Sequence, residues 1–210
     1  MKSSHALSES QRLLTYDRVV TKTRRAIDTK AAILAAARAR FAREGYRSTT
    51  IRAVAQDAGI DPALVMRYFG TKPELFAAAT DIDLRLPDLA DVPAGEHGER
   101  LVEHFLSRWD GRTAEGEVLL ILLRSATTDA TAAASMRELF ARQLIPSLRP
   151  LIADESELPQ RVGLVASQML GLALTRSVLE ISPVAAMPAE AVAANVGATI
   201  QRYLHEPLRP

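Results

Sequence analysis

The chain has 210 residues and a formal net charge of +1, from 26 Lys and Arg against 25 Asp and Glu. The absence of Cys excludes disulfides, a thiol nucleophile, iron–sulfur clusters and cysteine zinc sites, and a hydrophobic content of 48% excludes global disorder. Near-neutrality conceals a split: residues 1–75 hold 14 basic and 7 acidic residues, a net of +7, while residues 76–210 hold 12 and 18, a net of −6, which points to a polyanion-binding front and an acidic back.

Alanine supplies 35 residues and no long segment alternates apolar and polar positions, so the composition predicts an all-α fold of about nine helices. Residues 1–25 lack strong periodicity and carry Arg12, Arg18, Lys22, Arg24 and Arg25; they read as a flexible basic N-terminal arm. The first helix is predicted over about 29–44, with Ile27, Ala31, Leu34, Ala37 and Phe41 as its apolar stripe and Gly45 as its stop. Ser48-Thr49-Thr50 offers N-caps for a second helix that buries Ile51, Val54, Ala55 and Ala58 and ends at Gly59. Asp61-Pro62 starts a third, short helix that ends near Phe69-Gly70. Thr71-Lys72-Pro73-Glu74 is a capping box for a fourth, predicted to run to about Leu86. Beyond Pro87 and Pro93, five more helices are predicted, at about 96–110, 115–126, 131–152, 158–181 and 188–204, the third kinked by Pro146 and Pro150.

The spacing from Ile51 to Lys72 describes a helix-turn-helix. Ala55 must be small where the helices cross, Gly59 suits the positive-φ turn, and Ile60 and Val65 fill the angle between the helices with Ile51, Val54 and Tyr68. The surrounding text, GYRSTTIRAVAQDAGIDPALVMRYFGTKPELF, resembles the N-terminal domain of the TetR family of bacterial transcriptional regulators, strongly over about 27–78. The matching residues are Phe41, Gly45-Tyr46, Thr49-Thr50-Ile51, Ala55 to Gly59, Tyr68-Phe69, Lys72 and Leu75. The resemblance implies a helix-turn-helix DNA-binding domain over 26–75 and a helical effector-binding and dimerisation domain over 76–210. One departure is Met66, where the family often has a phosphate-touching Tyr; Arg67 stands ready to substitute.

In such a motif the second helix enters the major groove. Leu64, Val65 and Phe69 are expected to be buried, which leaves Asp61, Pro62, Ala63, Met66 and Arg67 to face bases. Arg67 suits a bidentate contact to guanine, and Pro62, Ala63 and Met66 suit thymine methyls. Arg47, Thr49, Thr50, Arg52, Tyr68, Thr71 and Lys72 are the phosphate candidates, several at helix N-termini. For each residue alone, an ordinary exposed position is the competing reading.

The resemblance further implies a homodimer joined by the last two helices, with Leu164, Leu172, Val192, Val196, Ile200 and Tyr203 as candidate interface residues. It implies a small apolar or amphipathic effector that releases a repressor from a palindromic operator on double-stranded DNA. The pocket candidates are Phe105, Trp109, Met136, Phe140 and Met169, with His104, Arg124, Gln168, Thr175 and Arg176 as polar companions. Burial in the core or in an interface competes for every one of them. An enzyme is not expected: no Gly-rich phosphate loop or nucleophile elbow occurs, and His97 and His104 lie seven residues apart without a further His at metal-binding spacing. No catalytic residue, metal or cofactor is therefore predicted. A helix-turn-helix adaptor that docks protein is the alternative, opposed by the basic front. The N-terminus lacks a signal peptide and the longest apolar run, Val118 to Leu123, is too short for a bilayer; a cytoplasmic protein without a membrane partner is expected.

Overall fold

A computed structural model describes residues 9–109 and 113–208, with side chains described from Thr23 onward apart from Ala114. No strand occurs among the described residues. Helix α1 spans Glu9–Ser48, so it starts some twenty residues before the predicted position. Residues 9–25, read as a flexible arm, form its first turns; residues 1–8 lie outside the described residues. No Gly or Pro interrupts the chain between Glu9 and Glu44, and nothing there stops a helix from propagating. Gly45 does interrupt it, at φ 74° and ψ 172°. The stripe also differs. Ile27 is 61% exposed and Ala31 is exposed, whereas Ile33, Ala37 and Phe41 are buried, because the described side chains of α1 that enter the core start at Ile33.

Helices α2 (Ile51–Ala58), α3 (Pro62–Phe69) and α4 (Lys72–Ala79) follow. Each is bounded by short-range chemistry. Thr50 Oγ1 accepts from Ala53 N at 3.1 Å, and Asp61 Oδ1 accepts from Ala63 N at 2.7 Å. Thr71 Oγ1 accepts from Glu74 N at 3.4 Å while Glu74 Oε2 accepts from Thr71 N at 2.7 Å, a capping box whose hydrogen bonds hold the Glu74 carboxyl below its usual range. Gly59 and Gly70 end α2 and α3 with φ of 64° and 71°.

Helix α4 ends earlier than predicted, where the Thr80 hydroxyl donates to Phe76 O at 2.8 Å. The following segment is extended. Ile82 and Leu84 are buried and Leu86 is half-buried, whereas Asp81, Asp83 and Arg85 face solvent, a period-two pattern. A side chain takes the place of a strand partner: Gln143 Nε2 donates to Ile82 O and Leu84 N donates to Gln143 Oε1, each at 2.7 Å.

The back of the molecule comprises α5 (His97–Arg108), α6 (Ala114–Ala126), α7 (Ala130–Leu139), α8 (Ile145–Leu148), α9 (Leu158–Ala173), α10 (Ser182–Ala185) and α11 (Ala189–His205). The helix predicted over 131–152 is divided by a wide π turn at Phe140–Leu144. Pro146 sits just beyond it, and the wider turn removes the carbonyl clash that a proline ring makes in a regular helix. A second π turn, Leu174–Val178, extends α9.

Two cores result. The first joins Ile33, Phe41, Val54, Val65 and Phe76 to Leu119, Leu122 and Met136, and α1 and α4, which flank the helix-turn-helix, pack on α6 and α7. The second packs α5 and α9 against α11 through Val102, Val165, Val192 and Ile200. Here α5 and α11 touch backbone to backbone: a Cβ on Gly197 would lie 2.7 Å from Glu99 Cα. This packing corrects three of the predicted interface residues. Leu172, Val192 and Ile200 are buried inside the subunit. Leu164, Val196 and Tyr203 remain half-exposed. His97 also finds an unpredicted partner, with its Nδ1 3.0 Å from His205 Nε2 and its Nε2 2.9 Å from Val92 O. Burial, then His97 and Arg161, push His205 below its ordinary value.

Candidate nucleic-acid interface and effector cavity

The reading helix is held from behind. Phe41 and Tyr46 both meet Phe76 edge-on, with ring centroids 4.9 and 4.8 Å away, which fixes the end of α1 on α4. Arg40 grips Asp57 through Nε–Oδ2 at 2.6 Å and Nη2–Oδ1 at 2.7 Å and reaches Glu44 at 3.0 Å. This bidentate pair ties α1 to α2; it holds Asp57 below and Arg40 above their ordinary values. Val54, Ala55 and Val65 are fully buried, so α3 sits rigidly on α2. Leu64 and Phe69 are half-buried.

The outer side of α3 is open. Asp61, Ala63, Met66 and Arg67 are exposed and Pro62 is half-buried; Met66 reaches 57%, unusual for a large apolar side chain. The Asp61 carboxylate is spent on its cap. Arg67 and Lys30 each lie 5.5 Å from the ring centroid of half-buried Tyr68. Lys30 was missed in the sequence, although its place one turn before Ile33 on α1 was the available signal. Arg47 and Arg52 are exposed. Among the described residues neither they nor Arg67 has a carboxylate partner. Thr50 is exposed, and its capping oxygen keeps its hydrogen for another acceptor.

Three predicted phosphate ligands are otherwise engaged. Thr49 is 1% exposed and its hydroxyl donates to Gly45 O at 2.9 Å. The Thr71 hydroxyl donates to Glu74 at 2.8 Å. Lys72 Nζ donates to Arg47 O at 3.0 Å and lies 4.5 Å from the Tyr46 ring centroid; burial holds it below its ordinary value. Lys72 thus ties the start of α4 to the end of α1, a tertiary contact that no local pattern announces.

In the back half, Phe105 and Trp109 stack with centroids 5.1 Å apart. They separate two spaces. One is a smaller, partly enclosed cavity of about 60 Å³, which His104, Phe105, Trp109, Phe140 and Met169 line from the predicted set. The other is an open cleft of about 1030 Å³ that includes Arg124 and Arg176. The Arg176 guanidinium is occupied, since Nη1 donates to Val184 O at 2.5 Å and Met187 O at 2.9 Å and so pins α10. Met136, Gln168 and Thr175 line neither space. Met136 is buried in the first core and the Thr175 hydroxyl donates to Gly171 O at 2.7 Å. Leu84, Leu86 and Arg108 are among the further residues that line the smaller cavity and that the sequence did not single out. Arg108 stands in the last turn of α5, where a basic residue is common and carries no signal of its own. Among the described residues no group of three His, Asp or Glu side chains is placed to hold a metal ion, and no helix is long and apolar enough to cross a membrane.

Comparison with known proteins agrees with this architecture. The family model for bacterial regulatory proteins of the tetR family matches residues 33–79, and that for the tetracyclin repressor-like C-terminal domain matches residues 95–204. A TetR-family regulator from Streptomyces coelicolor A3 is 32% identical, with a TM-score of 0.61 over 84% of this chain and 94% of that one. MexZ, described as a key repressor responsible for antibiotic resistance in Pseudomonas aeruginosa, shares the fold at 21% identity, with a TM-score of 0.55 over 86% of this chain and 96% of that one. No curated protein matches. A helix-turn-helix with an open, cation-flanked reading helix, the two family models over most of the chain and a relative at 32% identity converge on one conclusion: this chain belongs to the TetR family of DNA-binding transcriptional regulators.

Proposed function

We propose that this protein is a homodimeric repressor that binds a palindromic operator and is released by a small-molecule effector held in its helical back half. The observation that carries the DNA part is the exposed side of α3, which presents Met66 and Arg67, together with Arg47 and Arg52, exposed cations with no carboxylate partner among the described residues. In this reading Ala63, Met66 and Arg67 meet base edges, and Thr50, Arg47 and Arg52 meet phosphates. Pro62 and the Tyr68 hydroxyl lie at the margin of the same surface. The boundary between the two functional parts belongs after α4, near Thr80, because Leu75 and Phe76 are integral to the first core.

Repression is supported by the match to a tetracyclin repressor-like C-terminal domain. Dimerisation is supported by outward-facing small residues, Gly163, Ser167 and Gly171 on α9 and Ala194 and Ala198 on α11, which let helices approach closely. Effector response is supported by the cavity beside the extended segment that leaves α4; its occupation would change the spacing of two reading heads. The test is a gel shift with palindromic duplexes from the neighbouring intergenic DNA over a salt series. Binding that weakens steeply as salt rises is expected from counterion release. Absence of binding to every such duplex at low salt would refute the proposal.

A further inference from the structure

We propose that the smaller cavity takes a slim apolar molecule ending in a carboxylate, which receives a hydrogen bond from Arg108 Nε. The inference rests on the effector reading above and names the chemistry of that site. The walls are almost wholly apolar, with Leu101, Leu139, Leu144, Val165 and Met169 among them. His104, Arg108 and the indole of Trp109 are the lining residues that carry polar side-chain atoms. His104 Nε2 lies 3.0 Å from Leu84 O; a carbonyl only accepts, so this nitrogen carries the ring hydrogen and is already used. Arg108 differs. Its Nη2 donates to Asp83 O at 2.9 Å, but its Nε is fully buried without a partner, and among the described residues no carboxylate lies within ion-pair distance of it. Buried N–H groups are almost always paired. A neutral acceptor would satisfy the N–H, whereas a carboxylate would satisfy it with a charge-assisted bond about twice as strong. The cavity therefore favours an acid over the matching alcohol.

Size links this site to movement. The cavity is about 60 Å³, and an apolar cavity of about 150 Å³ is the scale that admits benzene. A wall must yield to any organic acid. Two walls are irregular: Leu84 and Leu86 lie on the extended segment after α4, and Phe140 and Leu144 lie in the π turn. The extended segment hangs on side-chain hydrogen bonds from Gln143, His104 and Arg108. A carboxylate that draws Arg108 toward the cavity competes with its bond to Asp83 O and loosens the segment that leads from the helix-turn-helix.

The test uses hexanoate, decanoate and 4-phenylbutanoate, each beside its own alcohol, titrated calorimetrically into the full chain. At least one acid is expected to bind tenfold or more tightly than its alcohol. Arg108→Met should bring that ratio close to one, Arg124→Met in the open cleft should leave it unchanged, and Ala166→Trp, which fills the cavity, should abolish binding of both. Where Arg108→Met does not fold, Arg108→Gln serves with the same expectation. Equal binding of every acid and its alcohol, no binding of any acid, or an acid preference that survives at position 108 or is lost at 124 would overturn the assignment. Operator binding by the unliganded protein is measured in parallel. Its absence refutes the regulator reading, whereas intact operator binding without acid preference refutes the carboxylate alone.

Discussion

Arg67 and Lys72 carry the same charge, sit five residues apart and do different things. Arg67 stands on the open side of α3 with no carboxylate partner among the described residues, which in the proposed reading leaves its fork of donors for DNA. Lys72 spends a donor on the Arg47 carbonyl and lies against Tyr46, so its removal loosens the fold before it touches any ligand. Thr49 and Thr50 divide in the same way: one hydroxyl turns inward to Gly45, the other caps α2 on the surface. Arg67→Ala is expected to weaken operator binding by about 1–3 kcal/mol, the scale of one base-reading contact. Fluorescence anisotropy with the operator and with point-substituted operators checks this. A loss confined to the operator assigns Arg67 to a base, and an equal loss on every duplex assigns it to a phosphate.

At the scale of elements, boundaries follow from short-range rules and orientation does not. The three N-caps at Thr50, Asp61 and Thr71 and the left-handed glycines at 45, 59 and 70 stand where side-chain chemistry and φ demand them. The end of α4 was missed because Asp81 to Leu86 contains no Gly or Pro. Its real signal was the alternation of Ile82, Leu84 and Leu86 with charged residues, a strand-like pattern whose backbone partner is the side chain of Gln143, some sixty residues on. The pairing of α5 with α11 depends on two glycines in different elements. Gly98→Ala drives a Cβ into the Gly197 carbonyl oxygen and to within 2.6 Å of Gln201 N, backbone atoms that cannot rotate away. We expect a loss of about 1–3 kcal/mol or more in unfolding free energy, the scale of overpacking, measured by urea titration. Stability equal to wild type would mean that the two helices slide apart at little cost.

Across the whole molecule, the charge split maps onto function only after the ion pairs are taken away. Arg40 and Arg43 belong to the Asp57 network that clamps α1 to α2, which leaves Arg47, Arg52 and Arg67 as the described free cations closest to the reading helix in sequence. The first core runs unbroken from the helix-turn-helix into α6 and α7, so under the proposed effector response a shift in the back half would travel through packed side chains as well as through the extended segment. The outward small residues of α9 and α11 predict where two copies meet. Ser167→Arg is expected to convert the dimer to a monomer in sedimentation velocity and to reduce operator affinity tenfold or more, since each half-site alone is bound weakly. An unchanged sedimentation coefficient would move the interface elsewhere.

The amino-acid sequence by itself determined the helical class, the helix-turn-helix, its caps and turns, and the family resemblance, because each of these depends on residues three to six positions apart. Only the tertiary structure decided which apolar faces turn inward. Val192 and Ile200 look like interface residues on a helical wheel, yet they are buried against α5 and α9, while Gly163, Ser167 and Gly171 face out. It alone formed the cavity among α5, α7, α9 and the segment after α4, and left the Nε of Arg108, one of its lining residues, buried without a partner. Burial is a property of neighbours brought together from distant parts of the chain, and no local periodicity encodes who those neighbours are.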